Sequence, residues 1–165
     1  MSGMLSSHAT SDINRVKLKR VLGLGVACVD IIACVQSFPQ PDEKIRADSV
    51  QQFSGGNVGN TLTAISKLGT AAASIFTKVG KDSNGEFIVD DLRKVNVDVR
   101  HVIVTTSAPT LSVYVIVDRQ ARRTCIASPN EEELTPSDVT SKLCSRNDCI
   151  GSDEGSDLFD DVQVT

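Results

Sequence analysis

Glycine and asparagine are concentrated in one short stretch of the chain, residues 53–61, which reads Phe-Ser-Gly-Gly-Asn-Val-Gly-Asn-Thr. Glycine tolerates positive φ and leaves backbone N–H groups uncovered, and the first turn of a helix has N–H donors without intrahelical partners. The side chains of Asn57 and Asn60 both donate and accept hydrogen bonds, as every hydroxyl of a polyhydroxylated ligand does. The stretch therefore suits such a ligand, although a strand-to-helix turn with Asn57 as N-cap explains the same residues.

Asp30 is the second candidate, because it ends a nearly continuous apolar run that begins at Arg20. Such a run is typical of a strand buried on both faces of a parallel sheet. Ligands of open α/β sheets bind outside the carboxyl ends of the strands, which is where this acid would lie. A helix cap or a turn acid is an equally acceptable interpretation of Asp30.

Composition limits the kinds of partner. The 165 residues, of which 40% are hydrophobic, suffice for one domain with an ordinary core. A net charge of −4 argues against nucleic acid as a partner, since phosphate-binding domains usually carry a basic face. No apolar run approaches the roughly 20 residues that span a bilayer. We therefore expect no membrane insertion and a cytoplasmic location, with an organelle transit peptide in the polar first residues as the alternative.

The cysteines are five in number and lack the paired short spacings of a zinc site. Two of them lie inside apolar runs, and we expect all five to be reduced core thiols of an intracellular protein. Neither a catalytic cysteine nor a metal site is expected. The five are Cys28, Cys34, Cys125, Cys144 and Cys149.

The order of elements predicts an α/β domain. After the run that ends at Asp30, a short strand is expected between Lys44 and Phe53, and then a helical apolar stripe that stops at Gly69. Ala71 to Val79 predicts a strand, and Ser83 with Glu86 is a candidate capping box for a second helix. Strand and helix in alternation favour parallel strands joined by right-handed crossovers.

Beyond residue 97 the pattern changes to three strand-like runs, with a polar hairpin connection at 118–122. We expect these runs to form an antiparallel cover that pairs with the strand at 44–53. A helix is expected near Thr135 to Asp138. The three runs are 101–105, 111–118 and 123–128.

Together these segments closely resemble the N-terminal half of ribokinase-like (PfkB-type) carbohydrate kinases. The resemblance covers about Val21 to Asp138 and is strongest to the ketohexokinase and plant sugar-kinase branch. It implies a three-layer α/β fold with a small β-lid. The matching segments, in order, are Gly25–Asp30, Gly55–Asn60, Gly69 and Gly80–Gly85.

The resemblance also implies roles for particular residues. Asp30 corresponds to the acid that accepts hydrogen bonds from sugar hydroxyls, and Asn57 and Asn60 correspond to asparagines that orient the sugar. Gly55 and Gly56 would permit close backbone approach. Arg123 occupies a lid position where some relatives carry a phosphate-contacting arginine, with a solvated surface arginine as the alternative interpretation. Some relatives also use the lid strands as dimer contacts.

Full-length members of this family use ATP and Mg²⁺, with the nucleotide site and the catalytic aspartate in their C-terminal half. The segment that carries this aspartate is not found in the chain, so we expect the 165 residues alone to bind neither cofactor and to be inactive. The run from Asn130 to Glu133 imitates a magnesium-associated motif, but it follows the lid strand directly, and we read it as a solvated loop. A non-catalytic sugar-binding or dimerising module and a largely unfolded chain remain alternatives.

Three segments are expected on this basis. Residues 1–19 form a flexible lead-in, residues 20–142 form the N-terminal half of the kinase domain with its lid strands, and residues 143–165 form an acidic, disordered tail. The change of character near residue 143 suggests a truncated isoform whose tail replaced the original continuation.

Overall fold

The computed structural model describes residues 19–128 and 132–144. These residues form eight strands and three helices, so the α/β class predicted from the sequence is confirmed. Residues 1–18 of the predicted lead-in and most of the predicted tail lie outside the described residues, whereas Lys19, assigned to the lead-in, begins the first strand. In chain order the elements are β1 (Lys19–Leu24), β2 (Cys28–Cys34), β3 (Ser49–Gly55), α1 (Asn57–Leu68), β4 (Ala71–Phe76), β5 (Lys78–Gly80), α2 (Ser83–Lys94), β6 (Ile103–Thr105), β7 (Ser112–Val117), β8 (Arg123–Ala127) and α3 (Pro136–Cys144).

The main layer consists of the parallel pairs β1–β4 and β5–β6, with α1 and α2 packed against them. Asp98, in the connection between α2 and β6, pairs with β4 as an isolated parallel bridge, because its N–H donates to Ala73 O at 2.8 Å and its carbonyl accepts from Ile75 N at 3.0 Å. Burial of apolar side chains between helices and strands stabilises this layer. The largest fully buried apolar side chains are Val29, Leu62, Ile75, Phe76, Ile88 and Leu92.

Helix α1 has the apolar stripe that its sequence predicts. Leu62 is buried, Val58 and Ile65 pack against the same core, and Gly69 ends the helix in the left-handed conformation with φ 64°. The alternative interpretation of the motif, which made Asn57 the N-cap, is wrong by one residue. Gly56 is the N-cap, with φ 88°, and Asn57 is the first residue of the helix. The side chain of Asn57 therefore does not cap the helix.

Helix α2 is also capped one residue earlier than predicted. Asp82 is the N-cap, and its Oδ1 accepts from Gly85 N at 2.8 Å, so the capping box of Ser83 and Glu86 is not formed. A carboxylate at this position also interacts favourably with the positive end of the helix dipole.

The lid sheet is a separate four-stranded sheet in the order β3-β2-β7-β8. Its central pair, β2 and β7, is parallel, and the outer strands β3 and β8 are antiparallel to their neighbours. Two predictions were wrong here. The run from Arg20 to Asp30 is not one strand but breaks at residues 25–27, so β2 enters the lid sheet and separates β3 from β7. The strand predicted at 101–105 is β6, which belongs to the main layer.

The hairpin between β7 and β8 is organised by Asp118, which is only 5% exposed. Its carboxylate accepts hydrogen bonds from Gln120 N at 2.9 Å, Arg122 N at 3.0 Å and Arg122 Nε at 2.7 Å. The predicted polar hairpin connection is therefore confirmed, and Asp118 is the residue that shapes it.

Helix α3 is tied to β5 by Lys78, whose side chain is only 8% exposed. The ammonium lies 2.8 Å from Asp138 Oδ2 and 3.6 Å from Glu132 Oε1, and it donates to Glu133 O at 3.2 Å. The last two residues of α3 lie within the range predicted to be tail.

Candidate functional site

The site begins at the break between β1 and β2, residues 25–27. Gly25 N donates to Phe76 O at 3.1 Å, and Ala27 N donates to Thr77 Oγ1 at 3.3 Å. Thr77 is 1% exposed and directly follows β4. These bonds carry the chain across the carboxyl end of β4 and start β2 there, at the edge where ligands of α/β sheets bind.

Asp30 is the third residue of β2 rather than the last residue of β1. Its neighbours on the two adjoining strands are Phe53 of β3 and Val113 of β7. Because side chains alternate along a strand, these three lie on one face of the lid sheet, which we call the Asp30 face. The opposite face contacts α2, since Asn84 Nδ2 donates to Ser112 Oγ at 3.1 Å.

Cys28 precedes Asp30 on the same face, and its thiol donates to Asp30 Oδ1 at 3.4 Å. Burial and the adjacent carboxylate raise the pKa of Cys28 to about 12. The buried position agrees with a reduced core thiol. The prediction is wrong for Cys125, which is exposed on β8, while Cys34 is half-buried and free. Cys149 and the side chain of Cys144 lie outside the described residues.

Gly55 and Gly56 are needed at the start of α1 for two different reasons. A Cβ on Gly55 would overlap the carboxylate of Asp30, with Cγ 2.5 Å away and Oδ1 2.7 Å away. A Cβ on Gly56 would overlap Val26 O and lie 2.9 Å from Ala27 Cα, in a backbone conformation that only glycine adopts readily. The absent side chains allow β3 to end against Asp30 and against the break between β1 and β2.

Asn57 and Asn60 follow directly as the first and fourth residues of α1. Residues three apart lie on neighbouring positions of a helix surface, and both asparagines are exposed. The structure thus brings Asp30 against Gly55, places Gly56 against residues 26 and 27, and presents the two amides on the first turns of the adjoining helix.

Arg123 is not brought to the same place. It opens β8 opposite Val117, whereas Asp30 lies beside Val113, four residues away along β7. At about 3.3 Å per residue and 4.8 Å per strand, the two Cα atoms are roughly 13 Å apart along the strands and roughly 10 Å apart across them. Arg123 lies on the Asp30 face and is exposed, at the opposite end of the lid sheet.

A shallow groove of about 320 Å³ lies elsewhere, between the β5–α2 and β6–β7 connections. Its lining is Lys81, Asp82 and residues 105–109, and so does not include Asp30. Within the described ranges 19–128 and 132–144, we find no group of three His, Cys, Asp or Glu residues that could hold a metal ion. No helix in this part of the chain is long and apolar enough to cross a membrane.

Residues 18–153 match the family model described as pfkB family carbohydrate kinase. The chain belongs to this family. The resemblance seen in the glycine and asparagine motifs is therefore confirmed, and the match covers both the main layer and the lid sheet.

Individual relatives support the pfkB assignment. Ribokinase of Staphylococcus aureus (strain COL) is 28% identical over 122 residues, and ketohexokinase of Mus musculus is 33% identical over 84 residues. The match to the ribokinase covers 73% of this chain and 40% of the relative, and the match to the ketohexokinase covers 51% and 28%. The chain thus spans well under half of each relative.

Among solved structures, the Arabidopsis thaliana ribokinase complexed with ribose and ATP has a TM-score of 0.59 and 23% sequence identity. The likeness covers 67% of this chain and 36% of that one. At this identity the likeness shows the fold alone, and it confirms that the described residues form part of the ribokinase fold.

Two residues at the site were missed by the sequence analysis. Thr77 and Thr110 are buried, with 1% and 3% exposure. Their hydroxyl groups accept hydrogen bonds from the backbone at the two places where the chain passes between the main layer and the lid sheet. Neither stands in a distinctive motif, and only their contacts with residues distant in the sequence reveal their position.

Proposed function

We propose that the chain carries the substrate-binding half of an ATP-dependent carbohydrate kinase of the pfkB family. The observation that carries the proposal is the contact between the carboxylate of Asp30 and Gly55, next to Gly56, the N-cap of α1. A carboxylate accepts two or more hydrogen bonds and is suited to a pair of sugar hydroxyls. Asn57 and Asn60 would add groups that both donate and accept.

The roles of the glycines follow from what a side chain would obstruct. A Cβ on Gly55 would fill the space beside the Asp30 carboxylate, and a bulkier residue at Gly56 would lift α1 away from Ala27. Both changes would separate the acid from the two asparagines. Arg123 lies at the end of the lid sheet that is far from Asp30 of the same chain. It is therefore the candidate contact for the phosphate of a substrate or product only at the site of a partner molecule.

Phosphoryl transfer needs a bound nucleotide, a metal ion that neutralises charge and a residue that accepts the hydroxyl proton. ATP and Mg²⁺ would supply the phosphoryl group and the charge neutralisation in the intact kinase. The residues assigned above orient hydroxyls, and none of them is assigned to the nucleotide or the metal. We therefore propose that the 165 residues alone bind a sugar without phosphorylating it.

Calorimetric titration with ribose, fructose and adenosine tests the substrate site. We expect at least one of these ligands to bind, and Asp30→Asn to weaken that binding by about tenfold or more, since hydrogen bonds to a charged acceptor contribute about 1.5–3 kcal/mol. Asp90→Asn is the matched control, because Asp90 is exposed on α2 and pairs only with Arg93 at 3.3 Å among the contacts described. Equal affinities of the two variants would refute the assignment of Asp30. ATP-dependent phosphorylation by the purified chain would refute the proposed inactivity.

A second copy of the chain is the proposed partner of the Asp30 face. This face carries half-buried Val113, Val115 and Val117 together with Phe53, which is 47% exposed. Apolar surface of this kind favours association. The alternative function, a non-catalytic sugar-binding or dimerising module, depends on the same face.

Sedimentation equilibrium tests the proposed dimer. We expect Val115→Asp to give a monomer, whereas Tyr114→Ser, on the opposite face of the same strand, is expected to leave the dimer intact. A monomeric unmodified chain would refute the dimer without affecting the sugar-binding proposal.

A further inference from the structure

The connection that carries the chain from β6 into the lid sheet is fastened at Thr110. Thr110 Oγ1 donates to Asp82 Oδ1 at 2.7 Å, and Thr110 N donates to Asp82 Oδ2 at 2.8 Å. The same hydroxyl oxygen accepts from Gly80 N at 2.9 Å. Three short hydrogen bonds thus join one buried residue to the loop between β5 and α2. We call residues 80–85 together with Thr110 the joint.

The joint is packed too tightly to admit additional atoms. A Cβ on Gly80 would lie 2.6 Å from Thr110 N and 2.7 Å from Ala108 O, and a Cβ on Gly85 would overlap the carbonyl oxygen of Gly80. Contacts this short are essentially absent between real side chains and backbone, so both glycines are required by close approach. The two glycines are the outer residues of the Gly80–Gly85 segment that the sequence analysis singled out.

The joint lies next to the strand that supports Asp30. Immediately after Thr110, Leu111 O accepts from Val29 N at 3.0 Å, and β7 then pairs with β2 so that Val113 lies beside Asp30. Val113, the neighbour of the candidate sugar-binding acid, is three positions after Thr110, which is roughly 10 Å of extended chain. A shift of the joint would therefore move β7 and, through the backbone pairing, β2.

Asp82 is half-buried and keeps its negative charge. Burial opposes its ionisation, but the hydrogen bonds from Thr110, Gly85 and Asn84 outweigh this effect and keep its pKa below the ordinary value. Hydrogen bonds to an ionised acceptor are the stronger kind, so the joint is a firm attachment rather than a loose contact.

We infer that Asp82 and Thr110 are positioning residues, which set the lid sheet, and with it Asp30, relative to the main layer. The inference rests on the proposed sugar-binding function of Asp30 and gives the Gly80–Gly85 segment a purpose beyond capping α2. A role in capping alone would require only the bond from Asp82 to Gly85.

The test compares Thr110→Val, Thr110→Ser and Ser66→Ala. Thr110→Val removes the hydroxyl but keeps the N–H donor to Asp82, so the cap of α2 is retained. Thr110→Ser restores the hydroxyl. Ser66→Ala is the matched control, because it removes a side-chain hydrogen bond from Ser66 Oγ to Val95 O that is distant from the lid sheet.

Amide hydrogen exchange under native conditions is the first readout, and it does not depend on any ligand. In Thr110→Val we expect the amides of β2 and β7 to exchange about tenfold faster, while those of β4 change less. Thr110→Ser should restore slow exchange, and Ser66→Ala should not accelerate β2 and β7 selectively. Uniform acceleration over all elements, or none in β2 and β7, would overturn the inference.

Sugar affinity is the second readout, measured with whichever of ribose, fructose or adenosine the unmodified chain binds. Thr110→Val should bind about tenfold more weakly, the size of one hydrogen bond's net contribution. If Thr110→Val accelerates amide exchange selectively in β2 and β7 but leaves the sugar affinity unchanged, the inference that the joint positions Asp30 would be overturned. If the unmodified chain binds none of the three ligands, the proposed function fails, and exchange alone decides whether the joint sets the lid sheet.

The unmodified chain provides a further measurement in case Thr110→Val does not fold. If the joint holds the lid sheet, the amides of Thr110 and Val29 must become exposed in the same opening event and show one common free energy of exchange. Clearly different values would contradict the inference.

Discussion

Replacement of Gly56 by alanine measures how far the start of α1 depends on close backbone approach. Gly56 has φ 88° and ψ 146°, and its Cα faces the backbone of Val26 and Ala27. Gly69, at the other end of the same helix, also has positive φ, but a Cβ there would meet no atom of the described residues within 4 Å. Alanine would therefore have a strained backbone at either position, but only at Gly56 would its Cβ also lack space.

The magnitudes follow from this difference. Alanine at Gly69 costs about 1–2 kcal/mol for the left-handed conformation, partly offset by about 0.4–1 kcal/mol from the stiffer unfolded chain. Alanine at Gly56 enters a region that is nearly exclusive to glycine, at about 1–3 kcal/mol. The overlap with Val26 O adds about 1–3 kcal/mol, because a backbone atom cannot move aside as a flexible side chain can. We expect Gly56→Ala to lower the free energy of unfolding by about 2–5 kcal/mol and Gly69→Ala by about 1 kcal/mol.

Urea denaturation followed by far-UV circular dichroism measures both values. The slope of the transition must be equal in the two variants for the comparison to hold. Equal destabilisation by the two substitutions would refute the reasoning, since it would mean that the contact with residues 26 and 27 contributes nothing.

Two further predictions concern titratable groups. Burial and the neighbouring carboxylate raise the pKa of Cys28 to about 12. We therefore expect Cys28 to react with iodoacetamide at pH 8 at least about tenfold more slowly than exposed Cys125. Equal labelling of the two cysteines, measured by mass spectrometry, would contradict the buried position of Cys28. The pKa of Asp138 is lowered to about 2 by its hydrogen bond from Lys78, so the stabilisation from this pair is fully present above about pH 4, the unfolded value, and is lost as the pH falls through about 2. In Asp138→Asn, the free energy of unfolding should fall less steeply as the pH is lowered. An unchanged pH dependence would show that the pair of Lys78 and Asp138 does not stabilise the packing of α3.

Local pattern predicted the helices well, because their apolar stripes are visible within a few residues. Leu62 and Gly69 define α1 without reference to the rest of the chain. The caps were misplaced because their geometry depends on distant atoms. Gly56 becomes the cap through its approach to residues 26 and 27, and Asp82 becomes a cap while it also binds Thr110.

The order of the lid strands could not be read from the sequence. Residues 21–29 are apolar or glycine throughout, so the hydropathy pattern does not reveal the break at 25–27, although hydrogen bonds to Phe76 and Thr77 enforce it. Asp30 was selected as the acid at the end of the first strand, a position that it does not occupy, and the structure places its carboxylate against Gly55 instead. The roles of Asp30, Asn57, Asn60 and Arg123 in binding stay predictions.

The pairing of β2 with β7 has a consequence for synthesis of the chain. Residues 29 and 112 are direct neighbours in the lid sheet, yet most of the main layer is encoded between them. During translation β2 and β3 can form their hairpin early, but the far edge of β2 stays open until β7 has left the ribosome. Contacts of such long range form slowly. The lid sheet should therefore be the last part of the described fold to form, and the interval before β7 arrives is when the nascent chain is most exposed to aggregation and most dependent on chaperones.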